Sequence, residues 1–418
     1  MPRRQPTIGR VYTPAVFFLL ACGPPTVGSL ELTTVEDTGA DWVDEAPGTE
    51  GVGGFGELDV FSETAIHSFS IELDSSARSS LRYNPYDMVE ALFVAGGSEY
   101  PVGIRVKGSS TYSDIDDKPS LKVDFGFVAD GLRFQGMRRL NLHNMILDPM
   151  LSSEVLNWAF FREAGLPAPR VGYARLDVNG DDRGLYSIVE DIEDDFLGRW
   201  FEDPDGNLYE NAENYCDLTR VSCFDVEEYD EGHDDALEGL IDATDLEGDA
   251  WLEAMQSRMD WDRMVGFFAM ERTVAHWDSY SFDLSNYRLY HEPSADTFAF
   301  IPWSGDLGFG YRPWSHPDCG NHGELPDEYV MGRMASGCEA VPECRDAVLD
   351  KMLEHADLIE AMGGGARVED ALDRVRAEAE TDPEARWDMD HFEEHGACVA
   401  DFLEGRPGVI RSWVDENR

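Results

Sequence analysis

The sequence predicts an α+β fold: a strand-rich first half and a helix-rich second half, arranged as two lobes around a cleft. Short runs that alternate apolar and polar residues dominate up to about residue 190, whereas beyond 230 apolar residues recur at helical spacing. With 418 residues, 42 % of them hydrophobic and 11 % aromatic, the chain has ample material for a sizeable core.

Taken in order, Arg3, Arg4 and Arg10 precede an apolar run from Val11 to Ala21, too short to span a bilayer and suited to a secretory signal over residues 1–21. Leu19-Leu20-Ala21-Cys22 looks like a bacterial lipobox, with Cys22 as the lipidated residue. The expectation is a protein held at the cell envelope, facing the periplasm or the exterior, that meets the membrane only through that lipid. Residues 22–60 are rich in Gly, Pro, Thr, Asp and Glu without periodicity, which predicts a flexible acidic tether leading to a domain at 61–418.

In that domain Ser68–Leu73, Tyr100–Lys107 and Ser120–Phe127 read as strands, and Asp87–Val94 fits either a strand or a short helix. Leu151–Ala164 reads as a helix stopped by Gly165 and Pro167. Val171–Val178 and Gly184–Glu190 flank Asn179-Gly180, a hairpin turn that explains Asp177, Asn179 and Asp181 better than a calcium loop does. Later come helices at Leu246–Met255, Trp261–Arg272, Glu343–Met362, Arg367–Glu380 and Pro407–Val414, with strands at Tyr287–Tyr290 and Phe298–Ile301 between them. The lobes divide near residues 191 and 192.

Charge narrows the function classes. Against 33 basic side chains stand 84 acidic ones, a formal net charge of −51, and such a field repels nucleic acids and anionic lipid surfaces. It would repel ATP too, unless cations gather locally, and three of the four lysines (Lys107, Lys118, Lys122) fall within 16 residues. Six cysteines besides Cys22 in an exported chain suggest disulfides. Cys216–Cys223 and Cys338–Cys344 are the shortest loops to close, leaving Cys319 with Cys398; a metal reading of His316, Cys319 and His322 lacks a fourth ligand.

Four separated elements carry candidate chemistry. Arg105-Val-Lys107-Gly108-Ser109-Ser110, followed by Lys118 and Lys122, offers backbone N–H groups and point charges to a polyphosphate. Glu154, early in the predicted helix, can pair with a strand lysine or simply favour a helix N-terminus. Asp278, with Asp283 and Asn286 after it, suits a base plus a hard-metal ligand, and Asp306, between glycines after a strand, suits a second ligand or a plain turn. Trp303 and Phe309 read as core. Lys, Glu, Asp, Asn and Asp in this order match what kinase-type phosphoryl transfer uses.

The stretches GIRVKGSSTY, KPSLKVDF, LRFQGMRRLNLHN, FREAGLPAPRVGYARLDVNGDDRGLYSIVEDI, DGNLYE, WDSY, NYRLYHEP, FAFIPWSGDLGFG and FLEGRPGVIRSWV together resemble the spore coat protein H (CotH) kinase family. The resemblance implies a two-lobed atypical protein kinase fold that uses ATP and Mg²⁺ or Mn²⁺ to phosphorylate Ser/Thr of proteins outside the cytosol. It implies Lys122 or Lys118 as the phosphate lysine, with Arg105, Lys107 and Ser109 nearby, and Glu154 as its helical partner. Leu185–Asp191, with Glu190, would form the last small-lobe strand and the adenine-reading hinge. Asp278 would be the base and Asp306 a metal ligand, with Asn286 and Asp283 competing for the second metal position. Many members read Trp-Asp-x-Asp where this chain has Trp303-Ser304-Gly305-Asp306, and Gly-Asn-Ser where it has Gly108-Ser109-Ser110. The lost acid leaves a catalytically dead surface-binding member as the alternative, and a calcium-binding adhesion domain as a third reading.

Overall fold

The computed structural model describes residues 59–211, 215–228, 233–312 and 330–418. The leader, Cys22, the tether up to residue 58, Cys319 and the His316–His322 motif lie outside them.

Seven strands form the first half: β1 (Ile66–Glu72), β2 (Val89–Ala95), β3 (Ser98–Lys107), β4 (Ser120–Asp124), β5 (Arg139–His143), β6 (Val171–Val178) and β7 (Asp181–Glu190). They close into a barrel in the order β1-β2-β3-β4-β5-β7-β6, sealed where β1 runs parallel to β6. The 87–94 run thus resolves as a strand, beginning at Val89, and the 120–127 strand stops early at Asp124. β5 was not anticipated. The β6–β7 turn has Asn179 at φ 56° and Gly180 at φ 83°, the paired positive values of a type I′ hairpin. Asn179 also bonds the Leu73 N–H and C=O, so its side chain ties the turn to β1.

Alternation decides which side chains face the barrel interior. Ile104, Val106, Leu121, Val123, Leu140 and Leu142 pack inside with Phe93, Phe125 and Phe134. Their neighbours Arg105, Lys107, Lys122, Asn141 and His143 therefore point outward. On β6 and β7 the outward residues Val171, Tyr173, Leu185 and Val189 belong instead to the core of the second half.

That second half carries a four-stranded antiparallel sheet of β8 (Asn207–Asn211), β9 (Phe224–Glu228), β10 (Tyr287–Glu292) and β11 (Thr297–Pro302), ordered β11-β10-β8-β9. Ten of the described α-helices number onward from α2 (Ser153–Glu163), through α6 (Trp261–Thr273) and α9 (Pro342–Ala361), to α10 (Gly365–Thr381) and α11 (Met389–Asn417); α1 (Ser75–Tyr83) precedes them against β2. The α+β class stands. One apolar core runs from α2 and the outer face of β6–β7 through α6, α9, α10 and α11.

The Pro407–Val414 helix is the C-terminal part of the 29-residue α11, which runs through Pro407. Arg406 beside that proline is fully buried and donates to the carbonyls of Arg272 and Thr273 at the end of α6. Past α10, Asp382 accepts from Lys118 Nζ (2.6 Å) and Leu185 N (2.9 Å), and Trp387 donates to the Ile146 carbonyl, so this segment straps the helices to the barrel. Cys216–Cys223 and Cys338–Cys344 are disulfide-bonded, with Cα–Cα distances of 5.5 and 5.0 Å.

Candidate active site

A cavity of about 350 Å³ opens where the outward face of β3–β5 meets α2 and the loops that follow α6 and β11. Six sequence-predicted residues outside the helix line it: Arg105, Lys107, Ser109, Asp278, Asn286 and Asp306, with Glu154 joining from α2. Lys107 ends β3, and Gly108 turns the chain at φ +96°, where a Cβ would meet Thr111 Oγ1 at 2.6 Å. That glycine lets Ser109, Ser110 and Thr111 curl over the cavity.

Four predicted residues do not line it. Lys122 lies one strand over, opposite Arg105 and Asn141, and is ion-paired with the buried Asp191 at 2.7 Å. Lys122 and Arg288 hold the Asp191 carboxyl far below the ordinary range despite its burial. Lys118 is committed to Asp382, and burial lowers its pKa. Glu190 is turned to Arg170 and Arg199, so its carboxylate is neutralised away from the cavity. Asp283 is hydrogen-bonded to Asp278 and does not line the cavity. The lysine at the cavity wall is thus Lys107, where the resemblance pointed to Lys122 or Lys118: both of those are paired with carboxylates, Asp191 just after β7 and Asp382 in the C-terminal strap.

Burial pushes the Lys107 ammonium down to about 7, against the pull of Asp191 and with the help of Lys122. Its Nζ lies 2.8 Å from His143 Nε2, and His143 Nδ1 lies 3.0 Å from Glu154 Oε2, which also accepts from Ser187. Burial works to raise Glu154, but His143, Lys107 and Ser187 outweigh it and the carboxyl titrates below its usual value. Lys107 also sits 4.8 Å from the Trp303 ring, and Arg288 5.0 Å from it, so Trp303 is a cavity wall rather than the core residue predicted. Phe309 is fully buried, as expected.

Acids crowd the opposite wall. Burial first, then the hydrogen-bonded Asp283 and the nearby Asp306, push Asp278 up to about 8. Asn286 Nδ2 donates to Asp278 Oδ2 (2.7 Å) and to its carbonyl (2.6 Å), which leaves the Asn286 amide oxygen for another partner. Burial and Glu154 raise Asp306, whose Oδ1 accepts from Ser304 at 2.9 Å. Ser304 (φ 54°) and Asn286 (φ 54°) are both held in the left-handed region, as are Ala275 and Leu284 close by in sequence. Buried His276 fixes this loop by donating to the Ser304 carbonyl, and Asn157 of α2 donates to that of Gly305. Gly305 is required there, since a Cβ would meet the Trp158 ring at 2.8 Å.

Sequence reasoning missed His143, Asn144, Asp148, Glu210 and Trp303 as cavity residues. His143 and Asn144 lie in the LNLHN stretch, where alternation about Leu140 and Leu142 turns Asn141 and His143 outward. Asp148, pushed up to about 7 by burial, accepts from Ser153 N and Oγ and starts α2, so it holds Glu154 in place.

The inner spore coat protein H of Bacillus subtilis (strain 168) is 22 % identical over 301 residues, which is 67 % of this chain and 80 % of that protein. The family model described as CotH kinase protein matches residues 104–410, a span that contains every lining residue of the cavity, and the chain belongs to that family.

Proposed function

We propose that the chain is an extracytoplasmic protein kinase that transfers the γ-phosphoryl group of ATP to a Ser or Thr hydroxyl of another protein, with the barrel and the helical half acting as its two lobes. The observation that carries this reading is the single cavity into which β3, α2 and the two acidic loops, spread over some 200 residues, bring Lys107, Glu154, Asp278, Asn286 and Asp306.

The residues suit ATP and a divalent cation. Asp278, the free amide oxygen of Asn286 and Asp306 are hard oxygen donors, and burial followed by neighbouring acids raises both carboxyls. A cation of the Mg²⁺ type is held by one or two carboxylates together with phosphate oxygens. When bound, the nucleotide and its cation supply the phosphoryl group and most of the charge neutralisation. Lys107 and the N–H groups of residues 108–111 orient the phosphates, and Trp303 walls the site. Asp278 accepts the hydroxyl proton, in the orientation that Asn286 gives it. Asn286 and Asp306 face the cavity and would hold the cation, while Asp283 is hydrogen-bonded to Asp278 and does not line the cavity.

The two disulfides support an oxidising location, in keeping with an exported protein anchored through Cys22. Ser304, donating to Asp306 where many relatives carry an acid, favours a second reading, a nucleotide-binding member that does not transfer phosphate. Incubating residues 59–418 with γ-labelled ATP, Mn²⁺ or Mg²⁺ and a generic protein acceptor separates the two. Label on the acceptor that vanishes in Asp278→Ala supports the kinase, whereas nucleotide-dependent stabilisation with no label under any condition supports the silent member.

A further inference from the structure

In the proposed kinase the phosphate lysine and the helical carboxylate do not touch. His143 stands between them, 2.8 Å from Lys107 Nζ and 3.0 Å from Glu154 Oε2. We propose that His143 is a positioning residue that holds the Lys107 ammonium at the cavity wall through a neutral imidazole protonated on Nδ1.

The tautomer follows from the partners. An ionised Glu154 has no proton to give, so Nδ1 must donate to it. As the ammonium, the form it keeps below about pH 7, Lys107 has no lone pair, so Nε2 must accept from it. An imidazolium would set an N–H against the ammonium, and the Nε2-protonated ring would set donor against donor at Lys107 and acceptor against acceptor at Glu154. Each end of the relay is itself fastened. Ser187 donates to the same Glu154 oxygen, α2 is started by Asp148, and the His143 ring meets the Trp303 edge at a centroid distance of 5.9 Å. β5 contributes the last restraint, since Ser187 of β7 lies opposite His143 in the ladder.

The arrangement has a geometric purpose. Glu154 is 4 % exposed and sits behind the cavity wall, and the ring spans the gap so that a half-buried lysine on β3 is steered without the helix having to approach the strand. Removing the ring leaves Lys107 with no hydrogen-bonding partner on its α2 side and frees its long stem to swing. The loss then falls on phosphate binding more than on the chemical step.

This inference rests on the kinase reading for its consequence but not for its geometry, and the test keeps the two apart. The first arm needs no nucleotide: ¹⁵N-edited NMR of the whole domain with labelled histidine, assigned with His143→Ala, is expected to show a neutral His143 with its proton on Nδ1. An Nε2-protonated ring or an imidazolium at neutral pH overturns the proposal. The second arm measures MgATP binding and turnover. His143→Ala is expected to raise KM for ATP about tenfold with kcat changed much less, and millimolar imidazole is expected to restore it. An unchanged KM in a folded His143→Ala protein, or a loss confined to kcat, overturns the positioning role. Wild-type protein that binds no MgATP while showing the Nδ1 tautomer sinks the kinase reading and leaves the relay standing. If His143→Ala does not fold, Glu154→Gln replaces it: the amide oxygen still accepts from Nδ1–H while Lys107 still donates to Nε2, so the proton is expected to stay on Nδ1, and its transfer to Nε2 overturns the relay.

Discussion

Burial, and after it the neighbouring Asp283 and Asp306, resists the ionisation of Asp278. The folded Asp278 carboxyl titrates at about 8, against roughly 4 for an ordinary aspartate in an unfolded chain. The folded state therefore binds the extra proton, and its stabilising effect is complete below about pH 4 and lost as pH rises through about 8. Glu271, buried and pushed up to about 8, acts in the same sense. The melting temperature of metal-free protein should thus fall between about pH 5 and pH 8, less steeply in Asp278→Asn, and Mg²⁺ should recover more stability at the upper end than at the lower. Differential scanning fluorimetry across that range decides it; an identical slope in the variant would hand the effect to Glu271. In activity, Asp278→Asn should lower kcat at least about 100-fold with nucleotide affinity kept.

The two outward lysines of the barrel should also behave in opposite ways. Lys107→Ala should abolish nucleotide-induced stabilisation with little change in the melting temperature of the free protein. Lys122→Ala strands Asp191, only 3 % exposed at its side chain, and should cost about 3 kcal/mol or more of stability in urea unfolding. Equal melting temperatures for the two variants would contradict the division of labour drawn from the ion pairs.

At the scale of elements, strand parity was readable: inward Ile104, Val106, Leu121 and Val123 announce outward Arg105, Lys107 and Lys122. Which outward lysine meets the cavity was not, because Asp191 and Asp382 reach Lys122 and Lys118 through folding of segments up to 264 residues distant in sequence. The Asn179-Gly180 hairpin and the helix stopped at Gly165 were legible because local turn and stop chemistry dictates them. β5, whose Leu140 and Leu142 alternate with Asn141 and His143, was not read as a strand, and His143 upon it was missed with it. α11 was truncated at Pro407 in the sequence reading because proline usually ends a helix. Its continuity is sustained by tertiary contacts, with Arg406 bonded to the carbonyls at the end of α6 and packed on Phe402. Arg406→Met should keep the volume but orphan those carbonyls, lowering stability by about 2 kcal/mol in denaturant titration without altering nucleotide affinity.

Over the whole molecule, a net charge of −51 opposes compaction. Added NaCl should raise the melting temperature as the Debye length shrinks from about 10 Å at 0.1 M toward about 3 Å at 1 M. A melting temperature insensitive to salt would mean that the arginine–carboxylate pairs across the surface already neutralise the local fields. Besides the shared core, the Asp382–Trp387 strap links the helices to β7 and the loop after β5, so opening of the cavity must either carry the strap along or break it.

Barrel closure has one more effect. An open sheet ends in rows of unsatisfied amide and carbonyl groups, which invite a neighbouring polypeptide to add itself and seed aggregates. With β1 zipped to β6, the first half presents no such row, and any tendency of this protein to self-associate through backbone pairing is confined, among the described strands, to the outer margins of β9 and β11.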